Sequence, residues 1–214
     1  MTKNEYIDFI RNSLQAVDKT SRFHPEQVAA AMNVAVNTVF YEMYKAQPRV
    51  FAKSMERYTV QTQLIPVNSS AVDPRYTAPL TVDIVDLPRK TGGVLEILQK
   101  TLIPATLSSV ITYVPVTTME GEQFYGSESS LPSNVVGFSW SGARVVEFWN
   151  MSASQATGTV LARYIPQFKS YASTDNVLLP YGQDQRIIEL VRQYMGVIPP
   201  KDLVNDNADI KANG

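Results

Sequence analysis

The sequence contains one histidine, His24, and no cysteine, so composition alone removes thiol nucleophiles, disulfides, Cys-ligated zinc, iron–sulfur clusters and multi-histidine metal sites. His24 directly precedes Pro25. A general base there would need a serine or an acid at triad spacing, and no neighbour completes one, so it reads as a helix-entry residue. The carboxylate pairs Asp83/Asp86 and Glu120/Glu122 are the remaining candidates for acid and base. Nothing around them predicts the desolvation or pairing that such work requires, and they read as groups on surface strands and turns. Gly92-Gly93 follows Arg89-Lys90-Thr91, the reverse of the order in which a phosphate-cradling loop sets its glycines and lysine, and reads as a turn before a strand. Asn205, Asn207 and Asp209 place oxygen ligands at alternate positions, as a calcium loop does, but Ile210 stands where the loop glycine belongs. The reading is of a non-enzymatic protein with no catalytic residue, cofactor or metal.

Residues suited to contacts are easier to find. Lys45, Arg49, Lys53 and Arg57 recur every fourth position, so a helix continuous through Pro48 would carry a basic ridge able to meet an acidic partner or DNA phosphates. The same charges also suit a solvated helix face. Trp140, Trp149, Tyr113 and Tyr125 form a second set, which a binding module would present to a carbohydrate or a peptide.

The elements that must hold these side chains follow from periodicity and punctuation. Ile7, Ile10, Leu14 and Val17 stand three and four apart, which predicts a first helix over residues 4–17. Pro25 at a first helical position and Glu26 in the first turn open a second helix, which Pro48 closes near Ala46. Its apolar residues, Met32, Val36, Phe40 and Met43 among them, cover more than one stripe, so it should pack on two sides, with Met32 and Met43 buried on different ones. A short third helix over 49–57 completes a helical region at 1–57.

From residue 58 to 180 the pattern is β-rich, with strand-like runs at 58–65, 80–86, 94–99, 110–116, 135–140, 143–149 and 158–165. Ser141-Gly142 between two of these runs predicts a tight hairpin. A closing helix over 183–196 is signalled by Ile187, Ile188, Leu190 and Val191, with Gly196 as its stop. Residues 1–198 thus read as a single α+β domain, N-terminal helices packed on a mainly antiparallel sheet with a C-terminal helix. Residues 199–214, opened by Pro199-Pro200 and anchored only by Leu203, Val204 and Ile210, read as an extended arm that gains order on a neighbouring molecule.

Bulk properties set the boundaries of function. Nineteen basic residues against twenty acidic ones leave a net charge of −1, which disfavours bulk attraction to nucleic acid or to acidic membranes. The N-terminus runs directly into an amphipathic segment, and no run of apolar residues is long enough to span a bilayer, so a soluble protein made in the cytoplasm is expected.

Two segments carry a resemblance: His24-Pro25-Glu26-Gln27-Val28-Ala29-Ala30-Ala31-Met32-Asn33, and Leu179-Pro180-Tyr181-Gly182-Gln183-Asp184-Gln185-Arg186-Ile187-Ile188-Glu189-Leu190-Val191. With the central sheet between them, the chain resembles the ring, or head-to-tail connector, proteins of crAss-like short-tailed bacteriophages. The resemblance implies a virion structural protein assembled in the host cytoplasm. Copies of it would stack as a symmetric ring, commonly twelvefold, below the portal and against other connector or tail proteins. Genomic DNA would pass through without sequence-specific binding, and no membrane would be involved. On this reading Met43, Lys45, Arg49, Lys53, Arg57, Leu203 and Val204 are the candidate interface residues.

Overall fold

The computed structural model describes residues 1–55, 61–66, 76–99, 111–117, 120, 132, 134–142, 144–152, 155–157, 159–180 and 182–197. Helix α1, Lys3–Val17, is opened by Thr2. The Thr2 hydroxyl accepts from the Glu5 amide at 3.3 Å while the Glu5 carboxylate accepts from the Thr2 amide at 2.8 Å, a reciprocal cap that satisfies donors a helix start leaves free. Its apolar stripe buries Tyr6, Ile7, Ile10 and Leu14. Helix α2, Pro25–Ala46, begins and ends where the two prolines place it, and Gln47 closes it through a backbone bond to Met43. Helix α3, Phe51–Met55, starts two residues later than its sequence pattern suggests, and residues 56 and 57 lie outside the described residues.

The strands divide between two sheets. Strands β1, Gln61–Pro66, β7, Thr159–Tyr164, and β3, Val94–Gln99, form a three-stranded sheet in the order β1-β7-β3, antiparallel throughout. The four-stranded sheet runs β2-β6-β5-β4, comprising β2, Tyr76–Pro79, β6, Val145–Trp149, β5, Val135–Trp140, and β4, Thr112–Pro115. Only the β4–β5 pairing in it is parallel. The chain is α+β with a mainly antiparallel strand arrangement and a C-terminal helix. That helix, α4, spans Asp184–Tyr194, and Gly196 at φ +68° ends it, the Val197 amide reaching back to the Arg192 carbonyl at 2.9 Å.

Two cores result. One lies among the helices and takes in Leu14, Met32, Val36, Phe40, Phe51, Ile187 and Val191. The other joins residues of both sheets, with Val94, Ile97, Ala162 and Tyr164 from one and Ala78, Val136, Phe138, Val146 and Phe148 from the other. Opposed inner faces of two sheets bury apolar side chains in this way.

The segment 80–86 corrects the sequence reading. It alternates like a strand but forms no ladder: Leu80 and Ile84 enter the sheet core, while Val85 and the following Leu87 enter the helical core. Its backbone bonds are shared out, Leu80 N to Arg144 O at 2.7 Å, Val85 N to Ile165 O at 2.9 Å, and Asp83 O accepting from Gln167 N at 2.9 Å. The segment serves as the seam between cores, and the strand falls just before it, at Tyr76–Pro79. The β5–β6 hairpin forms where Ser141-Gly142 predicts it. Its connection is longer than a two-residue turn, with Gly142 at φ +84° and Arg144 at φ +59°.

Candidate interaction surfaces

Helix α2 carries its apolar residues on more faces than its partners cover. Val28, Met32, Val36, Val39 and Phe40 are buried against α1, α4 and the turn at Phe168–Ser170. On the outer side Ala30, Val34, Thr38, Tyr41 and Lys45 follow one another at steps of four, four, three and four, so they share a face. Val34 is 49% exposed and Tyr41 43%, and Tyr194 of α4, 45% exposed, meets the stripe through its hydroxyl, 3.2 Å from the Thr38 hydroxyl. Arg186 fixes the two helices together, its guanidinium bidentate on Glu42 at 2.6 and 3.1 Å. Met43, expected in the core, is partly buried and packs on the rim of the helical cluster.

The basic series does not form a continuous ridge. Pro48 interrupts the helix as its missing amide requires, leaving Lys45 in the last turn of α2, Arg49 in the turn between helices and Lys53 on α3. All three are exposed and form no ion pair among the described residues. Arg57, Leu203 and Val204, with the whole 199–214 arm, lie outside the described residues.

The aromatic set separates by burial. Trp149 is fully buried, its Nε1 donating to the Ser139 hydroxyl at 2.9 Å, so it belongs to the core. Tyr113 is partly buried and packs edge-on to Phe148, and burial pushes its hydroxyl up to about 12. Tyr125 lies outside the described residues. Trp140 lines a cleft of about 560 Å³, between the seam segment, the β5–β6 turn and Gln167–Lys169.

Of the acids, Asp83 and the exposed Asp86 line that cleft, Glu120 stands apart from it, and Glu122 lies outside the described residues. Asp83 is held by Arg144 and by Lys169 at 2.8 Å, and those two cations lower its pKa from the ordinary aspartate value. Glu120 accepts from Lys90 at 2.7 Å and from the Thr117 amide at 2.7 Å, which brings its pKa down to about 2. A general acid needs the opposite shift, so these carboxylates are fixed anions. His24 occupies the N-cap position of α2 without a side-chain cap bond. No group of three histidine, aspartate or glutamate side chains suited to a metal occurs among the described residues.

Sequence reasoning passed over the role of the glycine pair. A Cβ on Gly93 would sit 2.5 Å from the Val85 carbonyl oxygen, and one on Gly92, at φ +51°, would sit 2.9 Å from Trp140 Cδ1. Both glycines allow close approach: Gly93 of the seam to β3, Gly92 of the indole to the turn. The signal was present as two adjacent glycines, but their contacts are far away in sequence.

Among the described residues no helix is long and apolar enough to cross a membrane. Comparison with protein-family models and with curated proteins gives no match.

Proposed function

We propose that the chain is a non-enzymatic virion building block, a subunit of a portal-associated head-to-tail connector ring through which a phage genome passes. The observation that carries this reading is the outer stripe of α2. Val34 and Tyr41, joined by Tyr194 of α4, form a line of exposed apolar and hydroxyl-bearing side chains on the α2–α4 pair. Scattered exposed apolar residues are ordinary, whereas a stripe along one helix face is the form a helix presents to a partner. A ring subunit meets a neighbour on each side through such surfaces. The two segments on which the resemblance rests cover the first half of α2 and most of α4, the same helices that carry the stripe. Lys45, Arg49 and Lys53 lie at one end of it and supply unpaired cations for an acidic neighbour or for passing phosphates.

A second reading, a non-catalytic β-rich binding module for carbohydrate or peptide, is favoured by Trp140 in its cleft. Sedimentation velocity of the purified protein over a range of concentrations separates the two. A ring subunit gives a large closed species built from 23.8 kDa protomers. A monomer at every concentration, alone and with the portal protein, contradicts the ring reading.

A further inference from the structure

We propose that the cleft between the seam segment and the β5–β6 turn is a docking site for an acidic side chain of a partner protein. Arg89 holds the carboxylate, and the Trp140 indole supplies an adjoining donor and a flat apolar wall.

Arg89 is half-buried and forms no hydrogen bond or ion pair through its side chain among the described residues. Arg163 is on Glu96 at 2.7 Å and Arg11 is on Asp8 at 3.1 Å, while Arg192, away from the cleft, donates to the Ser13 carbonyl through Nη2 and keeps a buried Nε without a partner among the described residues. A half-buried guanidinium without an anion keeps only part of its hydration, and a carboxylate entering the cleft can pair with it. Burial lowers the proton affinity of Arg89, and Tyr44 nearby opposes that shift.

Trp140 presents the second unused donor. Its Nε1 makes no hydrogen bond among the described residues, whereas that of Trp149 is satisfied by Ser139. The indole is held at the cleft wall because residue 92 is glycine, the one side chain small enough to let the ring lie against the turn. The recess is thus a consequence of specific packing. At about 560 Å³ it has room for a few side chains.

The charge distribution selects among anions. Asp83 already engages Arg144 and Lys169, which leaves Arg89 as the open cation, while Asp86 stands exposed on the same cleft. A single carboxylate on a peptide brings one negative charge, which Arg89 can match. A nucleic acid brings closely spaced phosphates and meets the repulsion of Asp86. The inference is independent of the ring reading, since an acidic segment of any partner suits the site.

The two tryptophans make the test internally controlled. In ¹⁵N–¹H spectra of the full chain, the Trp140 indole signal reports the cleft and the Trp149 signal reports the fold. The titrants are a blocked leucine–aspartate–leucine tripeptide, its asparagine counterpart, inorganic phosphate and a short oligothymidylate. The expected result is a saturable shift of Trp140 with the aspartate peptide alone, with Trp149 unmoved. Arg89→Ala abolishes the shift. Arg89→Lys, which keeps the charge but loses the planar fork, weakens binding by roughly tenfold. If Arg89→Ala loses the Trp149 signal pattern, Arg89→Lys decides. No shift with the aspartate peptide overturns the proposal. So does an equal response to the asparagine peptide, a stronger response to phosphate or oligothymidylate, or unchanged affinity in the folded Arg89 variant.

Discussion

Replacing Gly93 by alanine should be far more damaging than the same change at Gly142, although both are turn glycines flanking the cleft. At Gly93 the new methyl would lie 2.5 Å from the Val85 carbonyl oxygen and 3.2 Å from the Val85 nitrogen. These are backbone atoms that cannot rotate away, so the seam must separate from the edge of β3. The same region holds the bonds Ile165 N to Gly93 O at 3.0 Å and Val85 N to Ile165 O at 2.9 Å. Overpacking costs about 1–3 kcal/mol, and two buried backbone bonds add about 1 kcal/mol each, giving about 3–5 kcal/mol in all. At Gly142 nothing lies within 4 Å of the added carbon, and the only cost is the left-handed conformation at φ +84°, about 1–2 kcal/mol. In urea, with an m-value of about 2 kcal/mol/M, the midpoint should fall by roughly 2 M for Gly93→Ala and by less than about 1 M for Gly142→Ala. Equal midpoints for the two variants would refute the close backbone contact on which the cleft depends.

Other outcomes follow from burial and charge. Met32 is fully buried, so Met32→Ala should cost about 2–5 kcal/mol, while Met43→Ala, on the partly buried rim, should cost about 1 kcal/mol; equal losses in thermal or chemical denaturation would contradict the placement of Met43. Val34→Asp and Tyr41→Asp change exposed positions and should each leave the monomer's stability within about 0.5 kcal/mol, a result that circular dichroism melts can check. The Asp83 carboxylate titrates below its ordinary value of 3.8 because Arg144 and Lys169 hold its charged form. Its contribution to stability is therefore complete above that ordinary value and is lost as pH falls through the lower folded one. Asp83→Asn should flatten the stability profile in that acid window, and an unchanged profile would show the triad to be inert.

The helices were legible because their signals are local. Pro25 and Pro48 bracket α2, and Gly196 ends α4, each through its own backbone chemistry. Strands β3, β5, β6 and β7 follow β-branched and aromatic runs. What escaped was non-local. Residues 80–84 alternate because Leu80, Val82 and Ile84 pack on the sheet core before Val85 turns to the helical one, and a period of two cannot distinguish that from a ladder. The division of the described strands between two sheets depends on pairing across long stretches of chain. Trp140 and Trp149 look equivalent in sequence, but their register across β5 and β6 and the Ser139 bond leave one in the cleft and the other in the core. The helix breaks within the basic series for a reason already visible in the sequence, the proline in its middle.

Electron microscopy of the purified protein, with the portal protein added in a parallel preparation, tests the central claim most directly. The account predicts closed rings with the Val34–Tyr41 face of α2 at the junction between protomers, lost in the Val34→Asp/Tyr41→Asp double variant while the monomer stays folded. Absence of rings in both preparations, or rings that the double variant leaves unchanged with that face turned to solvent, would contradict it.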